Sequence, residues 1–129
     1  MELNKILYVD DEPDVRHVVL LSLETIGGYQ VEAFESGADA LEAAETFAPD
    51  LLLLDVMMPG LTGPETLAKL RELGATAQTP AIFLTAKAQT HEVEKLKQNE
   101  SADVVPKPFD VMTLPTTIHG AWTKLADFT

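Results

Sequence analysis

The chain has 129 residues, a formal net charge of -12 and no cysteine. A chain of this length most simply forms one domain, and 46% hydrophobic with 6% aromatic residues predicts an aliphatic core. The negative charge repels nucleic-acid phosphates and anionic membrane surfaces, so we expect neither as a partner. The lack of cysteine excludes disulfides and thiolate metal sites. Since MELNKILYVDDE lacks a basic start and a long apolar segment, we expect a cytoplasmic protein.

Short apolar runs alternate with longer segments of helical period, which indicates βαβ units around a parallel sheet. The expected strands are residues 5–9, 29–34, 51–54, 81–85 and 103–105. The first, third and fourth are apolar almost throughout, as are strands covered by helices on both faces. Pro106 ends the last strand, and proline is tolerated there at a sheet edge. We therefore expect a doubly wound (βα)5 fold with strand order 2-1-3-4-5.

Five segments of helical period follow these strands in turn. The positions expected to share one face are Val15, Val18, Val19, Ser22 and Ile26 in the first helix, Leu41, Ala44 and Ala48 in the second, Leu67, Leu70 and Leu73 in the third, Val93 and Leu96 in the fourth (residues 90–98), and Leu114, Ile118, Ala121, Trp122 and Leu125 in the fifth. Pro13 and Pro115 suit first helical turns, and Gly74 is predicted at the C′ position of the third helix. We expect Trp122 in the core, and the isolated His17, His91 and His119 on the surface.

Polar residues stand at the carboxyl ends of the predicted strands, where ligands of such sheets bind. They are Asp10 and Asp11 after the first strand, Asp55 after the third, Thr85 after the fourth and Lys107 after the fifth. Three clustered carboxylates repel one another unless a cation intervenes, and oxygen ligands without His or Cys favour Mg²⁺. Lys107 can offset the remaining negative charge. The set therefore suits a phosphoryl group, with Asp55 as the candidate nucleophile that forms an aspartyl phosphate.

Each of these residues alone also has a plain structural explanation. Asp10 and Asp11 could cap the helix that follows them, and Thr85 could simply end a strand. A shared site is the better explanation because all five residues lie at the carboxyl ends of adjacent strands.

Four motifs resemble those of the response-regulator receiver domain of two-component signalling. They are YVDDEP at 8–13, LLLLDVMMPGLTG at 51–63, FLTAK at 83–87 and PKPF at 106–109. The separations also match, with 44 residues from Asp11 to Asp55, 30 to Thr85 and 22 more to Lys107. The resemblance covers essentially the whole chain and implies a flavodoxin-like, CheY-like fold.

The resemblance implies that Asp55 accepts a phosphoryl group from a phosphohistidine. The donor would be a sensor histidine kinase or a histidine phosphotransfer protein. Asp11, Asp55 and the backbone carbonyl of Met57 would bind Mg²⁺ directly, whereas Asp10 would act mainly through water. Such a domain catalyses only its own phosphorylation and dephosphorylation.

The resemblance also gives roles to residues around the phosphoryl group. Lys107 would contact a phosphoryl oxygen, and its bond to Pro108 would be cis. Thr85 resembles the switch hydroxyl that moves toward the phosphoryl group. Gly60 and Gly63 match the loop and turn glycines that follow the phosphorylation site.

Some positions depart from the usual family pattern. Val104 stands where many members have a Tyr or Phe whose ring turns inward as the threonine moves. Either Thr85 couples to a different surface, or the output is a subtler shift of the fourth helix and the loop before it. Met57 and Lys87 resemble positions that tune phosphoryl loss to water, and because Met57 cannot orient a water we predict a long-lived phosphoryl state. Thr62 replaces a frequent Asp and is expected to be neutral.

KPFDVMTLP at 107–115 resembles the tail of some single-domain receivers. We therefore expect residues 1–129 to form a stand-alone response regulator without an output domain. It would be a monomer or a weak dimer through the fourth helix, fifth strand and fifth helix.

Two other functions remain open. A haloacid-dehalogenase-like phosphatase also uses an Asp nucleophile and Mg²⁺, but usually needs a second acid where this chain has Met57. A phosphorylation-independent interaction module would keep the fold without the chemistry, and the intact Asp10, Asp11, Asp55, Thr85 and Lys107 set argues against it.

Overall fold

The computed structural model of the protein describes residues 2–86 and 102–126. They form a five-stranded parallel sheet in the order β2-β1-β3-β4-β5, which confirms the predicted topology. The strands are β1 Lys5–Val9, β2 Gln30–Phe34, β3 Leu51–Asp55, β4 Ala81–Thr85 and β5 Ala102–Pro106. β3 and β4 are buried at every position, because neighbouring strands flank them and helices cover the sheet.

The described residues also form four α-helices. They are α1 Pro13–Leu21, α2 Gly37–Phe47, α3 Gly63–Leu70 and α4 Leu114–Ala126. A π-helical turn, Ser22–Ile26, continues α1, and a 3₁₀ turn, Gly74–Thr76, follows α3. The predicted fourth helix, residues 90–98, lies outside the described residues, as do Lys87 and His91.

Hydrophobic cores lie on both faces of the sheet. On one face, Val19 of α1, and Ile118 and Trp122 of α4, pack against β1, β3 and β4. On the other, Ala44 of α2 and Leu67 of α3 pack against the same strands. Trp122 is a core residue as predicted, and its Nε1–H donates to the carbonyl of Asp50 at 3.0 Å.

Two helical positions predicted to face the sheet are exposed instead. Val18 is 39% exposed and Ile26 is 44% exposed. The buried residues of this segment are Val19, Ser22 and Leu23. The chain changes from α to π geometry at Ser22, so the regular helical spacing used to predict Ile26 no longer holds there. Val18 lies in α1 before this turn, so the change of geometry does not explain its exposure.

Two predictions about helix ends were also wrong. Ala48 is the exposed C-cap of α2, with a left-handed φ of 49°, rather than a member of its buried face. α3 ends at Leu70 with Arg71 as its C-cap, and Gly74 begins the 3₁₀ turn instead of occupying C′. The Arg71 guanidinium donates to the carbonyl of Thr76 at 2.9 Å, a contact that stabilises this turn after the helix.

Helix length is relevant to the membrane prediction. Within residues 2–86 and 102–126, no helix is both long enough and apolar enough to cross a membrane.

Candidate functional site

Three carboxylates meet at the carboxyl edge of the sheet. β1 and β3 pair in parallel with Val9 opposite Leu54, so Asp10 and Asp11 emerge beside Asp55. A carboxylate oxygen from each of the three lies within 4.8 Å of the other two. Asp10 is fully buried and Asp55 is 5% exposed, whereas Asp11 is half-buried.

Asp10 is held by hydrogen bonds on both carboxylate oxygens. The Tyr8 hydroxyl donates to Oδ2 at 2.8 Å, and the Glu12 backbone N–H donates to Oδ1 at 3.0 Å. The Arg16 guanidinium donates to the Asp10 backbone carbonyl at 2.8 Å. These bonds fix the carboxylate within the site, as a buried ionised group requires.

Lys107 places its ammonium between two carboxylates. Its Nζ lies 3.2 Å from Asp55 Oδ1 and 3.5 Å from Asp10 Oδ2. The end of β5 positions it, because its backbone N–H donates to the Thr85 carbonyl at 2.7 Å. The Lys107–Pro108 peptide bond is cis, as the family resemblance implied.

The electrostatics of the site follow from burial and from the acidic neighbours. Burial, followed by repulsion from Asp10, raises the pKa of Asp55 from 3.8 to about 6, although Lys107 opposes the rise. Burial would lower the pKa of Lys107, but the attraction of Asp10 and Asp55 outweighs it and raises that pKa. Burial and the negative charge of Asp10 raise the pKa of Tyr8, which keeps its hydroxyl a donor.

The donor set fits a hard divalent cation. Asp11 Oδ1 is buried and makes no hydrogen bond within residues 2–86 and 102–126. One ammonium cannot neutralise three carboxylates, and oxygen ligands are those that Mg²⁺ prefers. Met57, two residues after Asp55, is 63% exposed, and a role for its backbone carbonyl in metal binding stays a prediction.

The segment between β3 and α3 lies tightly against Asp55. Gly60 adopts φ +75°, a conformation that favours glycine. A Cβ on Gly63 would collide with the Asp55 carbonyl oxygen, and the Gly63 N–H donates to the Val56 carbonyl at 2.9 Å. Thr62 accepts from the Glu65 N–H while the Glu65 carboxylate accepts from the Thr62 N–H, which forms a capping box for α3. The departure at Thr62 therefore has a structural use.

Thr85 and Val104 lie on the two strands beyond Asp55. Thr85 is buried at the end of β4, opposite Pro106 of β5. Val104 is half-buried opposite Phe83 and packs against the core on the α2–α3 face.

An apolar groove of about 580 Å³ borders the site on the α1 side. Among the described residues its apolar wall comes from Val15 and Val18 of α1 and from Phe109 and Val111 after β5, and Lys107 lies at its edge. The exposed side chain of Val18 forms part of the groove wall.

Sequence reasoning missed Tyr8 and Arg16 as partners of Asp10. For Tyr8 a sequence pattern was available. Side chains two residues apart in a strand point to the same face, so a tyrosine two residues before Asp10 could reach it. For Arg16 no comparable pattern exists, because its bond is to a backbone carbonyl.

The doubly wound sheet, with an acidic cluster at its carboxyl edge, defines a CheY-like flavodoxin fold. The family model of the response regulator receiver domain matches residues 6–119, and the chain belongs to this family.

Relatives from several bacteria agree with this assignment. The chain is 35% identical to Protein PilH of Pseudomonas aeruginosa over 115 residues, covering 89% of this chain and 94% of PilH. It is 39% identical to the uncharacterized transcriptional regulatory protein YkoG of Bacillus subtilis over 121 residues, covering 94% of this chain but 52% of YkoG. The chain thus spans about half of YkoG and nearly all of PilH.

Solved structures show the same similarity. The chemotaxis response regulator CheY4 of Vibrio cholerae has a TM-score of 0.84 and 30% identity, covering 93% of this chain and 99% of that one. The protein is accordingly a receiver domain of the two-component signalling type.

Proposed function

We propose that this protein is a stand-alone response regulator in which Asp55 accepts a phosphoryl group from a phosphohistidine. The observation that carries the proposal is the position of Asp55 at the end of β3, with two carboxylates within 4.8 Å and the Lys107 ammonium at 3.2 Å. Cytoplasmic action is part of the proposal.

The proposed reaction moves one phosphoryl group between two side chains. An Asp55 oxygen attacks phosphorus, the new O–P bond forms, and the P–N bond breaks with its electron pair returning to the imidazole of the donor. Lys107 compensates the negative charge of the transferred group. Mg²⁺, held by Asp11, Asp55 and the Met57 carbonyl and by Asp10 through water, would supply further positive charge to the phosphoryl oxygens.

The donor in this proposal is a sensor histidine kinase or a histidine phosphotransfer protein. The groove formed by Val15, Val18, Phe109 and Val111 lies beside Lys107 and could accept an apolar helix face from it. The net charge of -12 favours a donor surface with basic residues around that face. The protein itself would be a monomer or a weak dimer.

The proposed switch begins at Thr85, whose hydroxyl would move toward the phosphoryl group. Val104 takes the place of the usual aromatic residue, so the response would be a shift of the neighbouring surface without a ring rotation. The exposed Met57 side chain has no group to orient a water. We therefore expect slow phosphoryl loss, and a phosphoprotein lifetime of only seconds would contradict this part.

Phosphotransfer profiling tests the function directly. Phosphorylated histidine kinases and phosphotransfer proteins of the host are mixed with the wild-type protein, Asp55→Ala and the exposed control Asp39→Asn in Mg²⁺. We expect phosphoryl transfer to the wild type and to Asp39→Asn but not to Asp55→Ala. Loss of transfer when Mg²⁺ is chelated would support the metal assignment.

Two outcomes would replace the proposal with another function. If neither a phosphohistidine donor nor a small phosphoryl donor such as acetyl phosphate modifies the wild type, the result would favour a phosphorylation-independent interaction module. Sustained turnover of a phosphate ester without a phosphohistidine donor would indicate a phosphatase instead.

A further inference from the structure

Tyr8 is the one residue of strand β1, Lys5–Val9, that has a hydroxyl group, and that hydroxyl makes a hydrogen bond within the candidate site. The residue is fully buried, with its ring in the core on the α1–α4 face of the sheet. Its hydroxyl donates to Asp10 Oδ2 at 2.8 Å. A phenylalanine would fill the core equally well, and a buried hydroxyl costs free energy unless it is hydrogen-bonded. The hydroxyl is therefore not explained by packing.

The oxygen that Tyr8 contacts is also within reach of Lys107. Lys107 Nζ lies 3.5 Å from Asp10 Oδ2 and 3.2 Å from Asp55 Oδ1, so one ammonium stands between two buried carboxylates. Asp10 is the more deeply buried of the two. Without the Tyr8 hydroxyl on Oδ2, Asp10 would attract the ammonium more strongly, since a buried carboxylate oxygen needs a hydrogen-bond donor.

We propose that Tyr8 is a positioning residue for phosphoryl transfer. Its hydroxyl donates a hydrogen bond to Asp10 Oδ2, and this bond keeps the Lys107 ammonium close to Asp55 rather than to Asp10. The inference rests on the proposed function of Asp55 and assigns a role to a residue that touches neither the donor nor the phosphoryl group. The Glu12 N–H already occupies Oδ1 at 3.0 Å, so Tyr8 completes the set of protein donors to Asp10. Asp11 Oδ1 is meanwhile left open to a cation.

The test compares Tyr8→Phe with Tyr29→Phe, which alters the other of the two tyrosines in the chain. Each substitution removes one hydroxyl oxygen and keeps the ring. Phosphorylation by acetyl phosphate in Mg²⁺ is measured over a range of donor concentrations. For Tyr8→Phe we expect the maximal rate to fall about tenfold, the effect of losing one hydrogen bond to a charged group. The half-saturating donor concentration should not change, and Tyr29→Phe should match the wild type.

A spectroscopic measurement on the metal-free protein distinguishes a positioning role of Tyr8 from an effect on folding stability alone. The ¹⁵N signal of the Lys107 ammonium should shift in Tyr8→Phe and not in Tyr29→Phe. In an Asp10→Asn background, Tyr8→Phe should cause no further shift, because Tyr8 acts through the Asp10 carboxylate. If Tyr8→Phe does not fold, the same point is tested by Tyr8 hydroxyl exchange, which should be slow in the wild type and fast in Asp10→Asn.

Failure of this inference is distinct from failure of the proposed function. If the wild type is phosphorylated and Tyr8→Phe retains both its maximal rate and its Lys107 signal, the inference is overturned. A Lys107 shift that persists undiminished in Asp10→Asn, or a Tyr8 hydroxyl that exchanges rapidly in the wild type, would overturn it as well. If the wild type is not phosphorylated at all, the proposed function fails first, and the positioning role in transfer fails with it.

Discussion

Asp55 illustrates how a single residue can serve a site at a cost to stability. It ends a strand that is buried at all five positions, and its pKa is raised to about 6 by burial and by Asp10. Asp55 loses its proton near pH 3.8 in the unfolded chain, which is a lower pH than in the folded protein. The contribution of Asp55 to stability is therefore fully present below pH 3.8 and is lost as the pH rises through about 6.

From this we predict that Asp55→Asn stabilises the metal-free protein at neutral pH. The free energy of unfolding should exceed that of the wild type by about 1–3 kcal/mol at pH 7, and the difference should shrink toward zero as the pH falls to about 4. Urea unfolding with a metal chelator, followed by circular dichroism across this pH range, measures it. Equal stability of the two proteins at pH 7 would contradict the account of burial.

Gly63 is the second residue whose identity the site fixes. Its missing side chain lets the start of α3 approach the Asp55 carbonyl. We predict that Gly63→Ala lowers the free energy of unfolding by about 1–3 kcal/mol, because the added methyl forces the backbone apart. It should also slow phosphorylation by displacing Asp55.

Gly120 provides the matched control for that substitution. It lies in α4, and a Cβ there would have no heavy atom within 4 Å. Gly120→Ala should therefore stabilise the protein by about 0.5–1 kcal/mol through the better helix propensity of alanine. If both variants changed stability in the same direction, the close approach at Gly63 would not be the cause.

At the scale of an element, α3 depends on its capping box. Thr62 and Glu65 satisfy each other's backbone N–H groups, and these bonds lower the pKa of Glu65. The same residues hold the segment that carries Gly60 and Gly63 beside Asp55. The stability of the α3 start and the geometry of the site are therefore linked.

We predict that Thr62→Ala destabilises the protein by about 1 kcal/mol, whereas Thr62→Ser, which keeps the capping hydroxyl, stays within about 0.5 kcal/mol of the wild type. Chemical unfolding at pH 7 measures both. The stabilising effect of the Glu65 bonds should be present above its unfolded pKa and decline as the solution is acidified below it, because the folded pKa is lowered. A Thr62→Ala protein as stable as Thr62→Ser would exclude the capping role.

At the scale of the whole molecule, the acidic cluster at the carboxyl edge of the sheet can link cation binding to the stability of the fold. Three carboxylates face one ammonium, and Asp11 Oδ1 has no hydrogen-bond partner among the described residues. A cation that binds this cluster in the folded state and not in the unfolded chain will stabilise the fold by mass action.

Mg²⁺ should accordingly raise the melting temperature of the wild type in a concentration-dependent manner. We expect Asp11→Asn to abolish most of this rise and the exposed control Asp39→Asn to retain it. Differential scanning fluorimetry at constant ionic strength separates specific binding from general screening of the net charge of -12. Equal shifts in all three proteins would indicate screening alone.

Hydrophobic periodicity no longer predicts the buried face of a helix where the helical geometry changes or the helix ends. Ile26 was assigned to a buried face, yet a π-helical turn begins at Ser22 and Leu23 is buried instead. Gly74 was assigned to a helix end that lies at Leu70 instead. After α3, the Arg71 guanidinium donates to the carbonyls of Thr76 and Thr79, contacts beyond the helix that hydrophobic periodicity does not predict.

The sequence by itself determined the strands and the residues at their carboxyl ends, since apolar runs and strand-end positions are local patterns. The strand order followed from the edge position of Pro106 together with the general rule for doubly wound sheets. The tertiary structure decided the surroundings of those residues: the depth at which Asp10 and Asp55 are buried, and the position of the Lys107 ammonium between their carboxylates. These depend on distances between segments far apart along the chain. Burial and charge act through such distances, and no spacing along the sequence specifies them.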